Sequence, residues 1–251
     1  MAPCSTTVAS MPVERPSMTP LLSPPRRRDR EVLDDPKVDA RVRARSLADV
    51  GVANRLFGGT RAVLAELAIA LDAERLASAT LLDVGTGLGD IPRRAIDMAQ
   101  RRGVALRAIG VDLAESLARA ASGPDLPVLC ADALTLPFAT ASVDFVTCSQ
   151  LLHHFEDASA LALLRELHRV ARRRVIVSEL RRSWAAAAGI WLASYPLRFH
   201  PVSRHDGVVS VFRGFRRDAL QELVSRAVSR QAAVRDRLGF RTTAVWAAGA
   251  S

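Results

Sequence analysis

Long apolar runs and regularly spaced cysteines are both missing from this sequence. No stretch of about 18 apolar residues occurs, so no membrane-spanning helix is predicted. The three cysteines, Cys4, Cys130 and Cys148, are odd in number and form no C-x-x-C pair. We therefore expect reduced thiols, with Cys130 and Cys148 buried in core strands, and a cytoplasmic location.

The basic residues are not gathered in one region of the sequence, although the short runs Arg26-Arg27-Arg28 and Arg172-Arg173-Arg174 occur. The formal net charge is +9, but the arginines are spread along the whole chain. Because nucleic-acid surfaces are built from clustered basic residues, this distribution argues against nucleic acid as a partner. With 49% apolar and 24% charged residues, the 251-residue chain suffices for one α/β core with a small cap.

The N-terminal part of the chain divides into two segments. Residues 1–30 contain six prolines among Ser, Thr and Met and lack the continuous apolar core of a signal peptide. Residues 31–79 carry apolar residues at helical spacing, with a break at Gly58 and Gly59. We expect a disordered tail at 1–30 and an N-terminal helical cap at 31–79.

Residues 80–90 organise the rest of the chain. An apolar run ends at Asp83, and a turn with Gly85, Gly87 and Gly89 leads into a segment of helical periodicity. This order predicts a strand, a tight loop and a helix. The glycines let a ligand approach the main chain, and the helix N-terminus offers unpaired N–H groups. The spacing is G-x-G-x-G, which differs from the G-x-G-x-x-G fingerprint of dinucleotide-binding sites.

Two further predicted strands end in acidic residues. Residues 106–111 lead into Asp112, and residues 128–131 lead into Asp132. In a doubly wound sheet Asp112 lies at the carboxyl edge beside the glycine loop, where its carboxylate can accept both hydroxyls of a ribose. Asp112 also precedes a predicted helix, so a capping role is the alternative.

Together these segments resemble the class I S-adenosylmethionine-dependent methyltransferases. Residues 83–89 are similar to the first motif of that family, and residues 136–144, which begin Leu-Pro-Phe, match a phrase common in it. The C-terminal helix and antiparallel pair also resemble the family. The resemblance covers residues 50 to 250. It implies an α/β fold, a Rossmann-like seven-stranded sheet with helices on both faces, in a domain at 80–251 that binds S-adenosyl-L-methionine.

The resemblance also indicates which residues bind the cofactor. Asp132 stands where the family has an Asp that hydrogen-bonds the adenine amino group. The predicted cofactor-binding residues are Asp83, Gly85, Thr86, Gly87, Gly89, Asp112, Leu113, Asp132, Ala133 and Ser149. No metal site is predicted, because the adjacent His153 and His154 are expected to point apart.

The loop after the fourth predicted strand bears on the acceptor. Residues 145–149 form that strand, and the ligand position in open α/β sheets makes the following Leu-Leu-His-His-Phe segment face the transferred methyl group. The N-P-P-Y, D-P-P-Y and Pro-Cys motifs of base-methylating enzymes are missing. The segment is instead similar to small-molecule methyltransferases that act on phenols, quinols or lipid-like acceptors. We expect a small apolar or phenolic acceptor, with O-methylation favoured.

Three histidines are candidates for the general base. A neutral imidazole at His154 or His153 can take the proton of a hydroxyl as its oxygen attacks the methyl group. The alternative for both is packing beside the cofactor or capping of the next helix. His205, between Arg204 and Asp206, is the rival candidate, and there the alternative is that Asp206 and Gly207 form a turn.

His205 belongs to a predicted cap insertion at residues 183–214, between strands five and six. Its first part, residues 184–197, is nearly all apolar but too short to cross a bilayer. That part suits a helix that covers the cleft or contacts a membrane interface.

Two other functions remain open on the sequence. An RNA- or protein-directed methyltransferase is favoured by the basic balance, and a non-catalytic S-adenosylmethionine-binding regulatory protein would share the cofactor residues. An NAD-binding protein is a more distant alternative. We expect a monomer or a homodimer with a small-molecule acceptor.

Overall fold

The computed structural model describes residues 23–35 and 37–249 and is built on one sheet of seven strands. Short apolar runs bounded by turns form its central strands, as expected for strands buried on both faces. The strands are β1 Ser78–Val84, β2 Ala105–Asp112, β3 Val128–Cys130, β4 Val143–Ser149, β5 Ala171–Leu180, β6 Ala233–Arg237 and β7 Arg241–Ala247.

Helices flank the sheet and cover its carboxyl edge. They are α1 Ala40–Leu56, α2 Gly59–Glu74, α3 Asp90–Gln100, α4 Glu115–Ala121, α5 Asp157–Val170, α6 Trp184–Ala193, α7 Pro201–Arg213 and α8 Arg217–Val228, with short 3-10 helices at Val32–Asp34 and Leu152–His154. The predicted break at Gly58 and Gly59 separates α1 from α2, and Gly58 has a φ of 77° that favours glycine.

The strand order is β3-β2-β1-β4-β5-β7-β6, and β7 runs antiparallel to both of its neighbours. The chain therefore reverses its direction of winding between β1 and β4. Ligands of open α/β sheets bind outside the carboxyl ends of the strands at such a point. The predicted fold class is confirmed.

The hydrophobic core lies on both faces of the sheet. Leu82 belongs to the cluster that packs β1 and β4 against α5 and α8, whereas Leu81 belongs to the cluster that packs them against α2 and α3. Both leucines are fully buried. Because side chains alternate along a strand, one apolar run supplies both layers.

The end of the predicted disordered tail packs on the body. Residues 1–22 lie outside the described residues. Within residues 23–30, the Arg26 guanidinium lies 4.2 Å from the centroid of the Phe215 ring, and the Arg27 N–H donates to the Phe212 carbonyl oxygen at 3.1 Å. These contacts, a cation–π interaction and a backbone hydrogen bond, show that the prediction of disorder is wrong for residues 23–30.

The insertion after β5 consists of α6 and α7, packed against each other. The predicted turn at Asp206 and Gly207 is wrong, because both residues lie inside α7. A Cβ at Gly207 would lie 3.2 Å from the Ile190 side chain of α6, so glycine allows close approach of the two helices.

Of the two cysteines that were predicted to be buried in core strands, one is buried and one is exposed. Cys148 is buried in β4, but Cys130 is exposed because β3 is a three-residue strand at the sheet edge.

Among the residues described, no helix has both the length and the apolar character needed to cross a bilayer.

Candidate active site

A cavity of about 840 Å³ lies at the carboxyl ends of β1, β2 and β4. The glycine loop and Asp112 form its floor, and α1, α6 and α7 form the opposite wall together with Glu31 and Asp34. This volume is in the range of small-molecule sites, which hold roughly 300–1,000 Å³. The cavity therefore has room for a ligand of cofactor size.

Asp83 fixes the base of the glycine loop from below the cavity. Its carboxylate accepts hydrogen bonds from the hydroxyls of Thr86 at 2.8 Å and Thr147 at 2.6 Å. Burial raises the pKa of Asp83 to about 6, although both hydroxyls favour the charged form. Asp83 thus connects the loop to β4 and does not line the cavity.

Asp112 holds the upper part of the same loop. Its Oδ2 atom accepts the Gly87 N–H at 2.9 Å, and its Oδ1 atom accepts the Ala114 N–H at 3.0 Å, just before α4. Asp112 therefore holds the residue that precedes α4, but the N-cap residue of this helix is Ala114 and no side chain caps it. The carboxylate also lines the cavity, so it can serve both purposes.

Gly87 shows that the loop fits a ligand lying against the main chain. Its φ is 57°, and a Cβ at this position would have no described atom within 4 Å. The loop surface is open on that side, with Asp112 at its edge. Adenosyl ligands, which pair ribose hydroxyls with a carboxylate, fit these residues.

The other predicted cofactor residues divide by position. Gly85, Thr86, Gly87, Asp112 and Ser149 line the cavity, whereas Asp83, Gly89, Leu113, Asp132 and Ala133 do not. Gly89 caps α3, and Leu113 is 73% exposed. Asp132 is exposed at the end of β3, where it accepts the Leu134 N–H at 2.9 Å.

His153 and His154 lie together in the cavity wall. The His153 Nδ1 atom is 2.7 Å from Glu179 Oε2, and its Nε2 atom is 3.6 Å from Glu31 Oε1 without a hydrogen-bond partner. The His154 Nδ1 atom is 3.0 Å from Asp34 Oδ1, and its Nε2 atom is 4.0 Å from Glu31 Oε2.

The expectation that these two histidines point apart is wrong. Their ring centroids are 4.3 Å apart, and both Nε2 atoms lie on the side of Glu31. Two features explain this orientation: the tight 3-10 helix brings the rings together, and a carboxylate fixes each Nδ1 atom.

The carboxylates around the histidines concentrate negative charge. Burial alone would lower the pKa of His153, but Glu179 and Glu31 raise it to about 9. Burial would likewise raise the pKa of Glu31 and Glu179, yet the histidines hold both below their ordinary value. His153 is therefore positively charged at neutral pH.

Arg213 completes this group. Its Nη1 atom lies 2.8 Å from Asp34 Oδ2 and 3.5 Å from Glu31 Oε1, and its Nε atom donates to the His153 carbonyl oxygen at 3.1 Å. The pKa of Asp34 is well below its usual range because His154 and Arg213 outweigh the effect of burial. Asp34 is thus a carboxylate that orients His154.

His205 does not belong to this site. Its side chain is 57% exposed, its Nδ1 atom lies 2.9 Å from Asp206 Oδ1, and it does not line the cavity. Asp206 is buried and accepts the N–H groups of Val32 at 2.8 Å and Leu33 at 3.0 Å. The geometry is therefore against His205 as the base, while Asp206 holds the segment that presents Glu31.

Three charged residues of the site gave no signal in the sequence, and a fourth gave a weak one that indicated a possible contact with substrate. Glu31, Asp34 and Arg213 carried no local signal, because they approach the histidines only through long-range packing. Glu179 had a weak signal, since it is an acid near the end of a strand whose carboxyl edge faces the ligand.

The comparisons with known proteins agree with this geometry. Residues 82–177 match a family model described as a methyltransferase domain. No curated protein matches the sequence significantly. The solved structure of magnesium protoporphyrin IX methyltransferase from Synechocystis with bound SAH is 16% identical, with a TM-score of 0.53, over 85% of this chain and 89% of that chain.

A second solved structure is similar in the same way. A SAM-dependent methyltransferase from Aquifex aeolicus is 17% identical, with a TM-score of 0.50, over 67% of this chain and 81% of that chain. At these identities the likeness to solved structures establishes the fold.

Proposed function

The chain is a class I S-adenosyl-L-methionine-dependent methyltransferase, and we propose that it transfers the methyl group to the hydroxyl oxygen of a small apolar or phenolic acceptor. The cofactor supplies an activated sulfonium methyl group. Gly85, Thr86, Gly87 and Asp112 would hold its adenosyl part, and Ser149 would lie near its sulfonium end. Asp132 and Ala133, just outside the cavity wall, stay candidates for the adenine edge.

One observation supports this acceptor class above the others. The cavity wall opposite the glycine loop is largely apolar. A compact polar cluster, formed by Glu31, Asp34, His153 and His154, lies within it. The apolar wall residues include Leu47, Val50, Ile190, Phe199 and Val211. An acceptor with an apolar body and one hydroxyl group would match both parts.

We propose His154 as the group that takes the hydroxyl proton. Asp34 holds its Nδ1 atom, its Nε2 atom lies 4.0 Å from Glu31 Oε2, and His154 lines the cavity with its side chain 30% exposed, so a proton can pass to solvent. His153 is charged at neutral pH and cannot accept a proton there. It would instead favour the acceptor's oxyanion. General base catalysis contributes roughly 10²–10⁴-fold, whereas positioning contributes more.

A second part of the proposal concerns how the acceptor arrives. One face of α6 lines the cavity through Ala186, Gly189 and Ile190. Its other face exposes Trp184, Trp191 and Leu192, followed by Tyr195. Two basic side chains lie near these aromatic residues in the chain: Arg198 is exposed, and the Arg204 guanidinium lies 3.8 Å from the centroid of the Tyr195 ring. Aromatic and basic side chains of this kind favour an anionic membrane surface, from which an apolar acceptor would enter the cavity.

The experiment that tests the acceptor class uses S-adenosylmethionine with a labelled methyl group. Alkylphenols, alkylquinols, short RNA and a mixed protein extract are each offered at two salt concentrations. We expect label in a phenol or quinol, at a rate that is insensitive to salt. Label in RNA, with a steep fall in binding as salt rises, would instead support an RNA-directed enzyme. Cofactor binding without turnover of any acceptor would support a regulatory protein.

A further inference from the structure

Arg241 is a buried charge without a counter-ion. It begins β7, is 3% exposed, and lines the cavity. Its Nε and Nη1 atoms have no hydrogen-bond partner, and its Nη2 atom donates only weakly to Asn54 Oδ1 at 3.4 Å. Among the described residues, no carboxylate lies within 4 Å of its guanidinium nitrogens.

The acidic side chain that acts on Arg241 electrostatically already has other partners. Glu179 influences Arg241 electrostatically, but its two oxygens accept the Leu152 N–H at 2.8 Å and face His153 Nδ1 at 2.7 Å. Burial lowers the pKa of Arg241 to about 10, so the guanidinium is still charged at neutral pH. A buried charge of this kind is costly unless an anion pairs with it.

Two polar side chains hold the guanidinium at this place. Asn54 Oδ1 accepts from both Arg241 and the side-chain amide of Gln150. Gln150 follows β4 with a φ of 54°, in the left-handed region that non-glycine residues rarely adopt. Backbone strain of this kind occurs often at ligand sites. All three residues line the cavity, next to Ser149.

We propose that Arg241 binds a carboxylate group of a ligand in the cavity, with Asn54 and Gln150 as positioning residues. A guanidinium presents two parallel N–H donors that match a carboxylate, and here the Nε and Nη1 donors are the two left free. The inference rests on the proposed cofactor site. Two ligands can supply the group: the amino-acid part of S-adenosylmethionine, or an acceptor that carries its own carboxylate.

The test compares ligands with and without the carboxylate. Calorimetry measures the affinity of the wild-type protein and Arg241→Gln for S-adenosylmethionine and for its decarboxylated form. If the cofactor supplies the group, the wild type prefers the carboxylated ligand by about 10–100-fold, and Arg241→Gln abolishes the preference. If the acceptor supplies the carboxylate, S-adenosylmethionine and its decarboxylated form bind with equal affinity in both proteins. Arg241→Gln then raises KM only for acceptors that carry a carboxylate.

A matched control separates binding from folding. Arg181 is the control residue. Its Nη1 atom lies 2.9 Å from Oδ2 of the exposed Asp236, and Arg181 does not line the cavity. Arg181→Gln should leave both affinities unchanged. Because Arg241→Gln removes an unpaired buried charge, the thermal midpoint of the ligand-free protein should stay equal or rise while carboxylate binding falls. A drop in ligand-free stability would indicate a structural role and overturn the inference.

Two other results are decisive. Equal behaviour of the wild type and Arg241→Gln toward every carboxylated ligand would overturn this inference and leave the proposed function standing. Failure of the wild type to bind any adenosyl ligand, with or without the carboxylate, would contradict the proposed cofactor site instead.

Discussion

The His153 imidazole and the Glu179 carboxylate meet at 2.7 Å inside the protein, although 26 residues separate them in the sequence. His153 follows β4 and Glu179 is near the end of β5, and these strands are parallel neighbours. Their carboxyl ends share one edge of the sheet, so a histidine and a glutamate from separate strands form one buried pair. The pair fixes the position of His153 within the polar cluster of the cavity.

Glu179→Gln should destabilise the protein by roughly 3–5 kcal/mol, because the buried His153 loses its partner. Urea unfolding at neutral pH measures this loss. Glu115→Gln is the control, since Glu115 forms an exposed ion pair with Arg119 and should have little effect.

The same pair predicts a pH dependence of stability. The pKa of His153 is about 9 in the folded protein and its ordinary value is 6.5, so the native state binds more protons between these values. The stabilisation is complete below pH 6.5 and is lost as the pH rises to 9. In Glu179→Gln this fall should be smaller and occur at lower pH. Equal pH profiles for the two proteins would contradict the ion pair.

Asp83 predicts a second window, at lower pH. Its pKa is raised from 3.8 to about 6, so the folded protein binds more protons than the unfolded chain in that interval and stability falls as the pH rises through it. Asp83→Asn should remove this dependence of the free energy of unfolding on pH, which amounts to about 3 kcal/mol over the whole interval. Unfolding measured from pH 4 to pH 7 in both proteins checks the sign.

Asp112→Asn should weaken cofactor binding. The variant loses a charge-assisted hydrogen bond to the ribose, on the order of 1.5–3 kcal/mol, or about 10–150-fold in Kd. It also weakens the bond to the Gly87 N–H that shapes the loop. Asp97→Asn, an exposed acid on α3, should bind the cofactor as the wild type does. An unchanged Kd for Asp112→Asn would remove the ribose assignment.

His154→Ala should lower kcat by roughly 10²–10⁴-fold with a hydroxyl acceptor and leave cofactor affinity unchanged. His205→Ala should leave both unchanged, because His205 lies outside the cavity wall. The two variants assayed side by side give the comparison. A large loss in His205→Ala, with none in His154→Ala, would reverse the assignment.

Trp191→Ser and Leu192→Ser should each reduce binding to anionic vesicles by about 10–100-fold, because each removes an exposed apolar side chain from the proposed membrane contact. Leu238→Ser is the control, since Leu238 is 80% exposed but belongs to the turn between β6 and β7 and not to α6. Vesicle sedimentation measures the effect. Equal losses in all three variants would indicate unspecific adsorption.

Local patterns were enough to predict the sheet and the glycine loop. The apolar runs before Asp83 and Asp112 and the Gly58–Gly59 break are each determined by residues close in sequence. The terminal helix and antiparallel pair carried similar local signals.

The remaining features depend on contacts between distant segments. A turn at Asp206 and Gly207 was predicted from two residues that favour turns, but Ile190 packs on Gly207 and the chain continues as a helix. Glu31 reaches His153 across 122 positions through backbone hydrogen bonds to Asp206. No local pattern contains this information, and for the same reason the base candidate His205 could not be separated from His154.

A crystal structure with bound S-adenosylhomocysteine tests the central claim most directly. We predict the adenosyl group against Gly85 and Gly87, with its ribose hydroxyls on the Asp112 carboxylate and its sulfur facing the part of the cavity that holds His154. A ligand bound at any other surface, or in this cavity without contact to Asp112, would contradict the account.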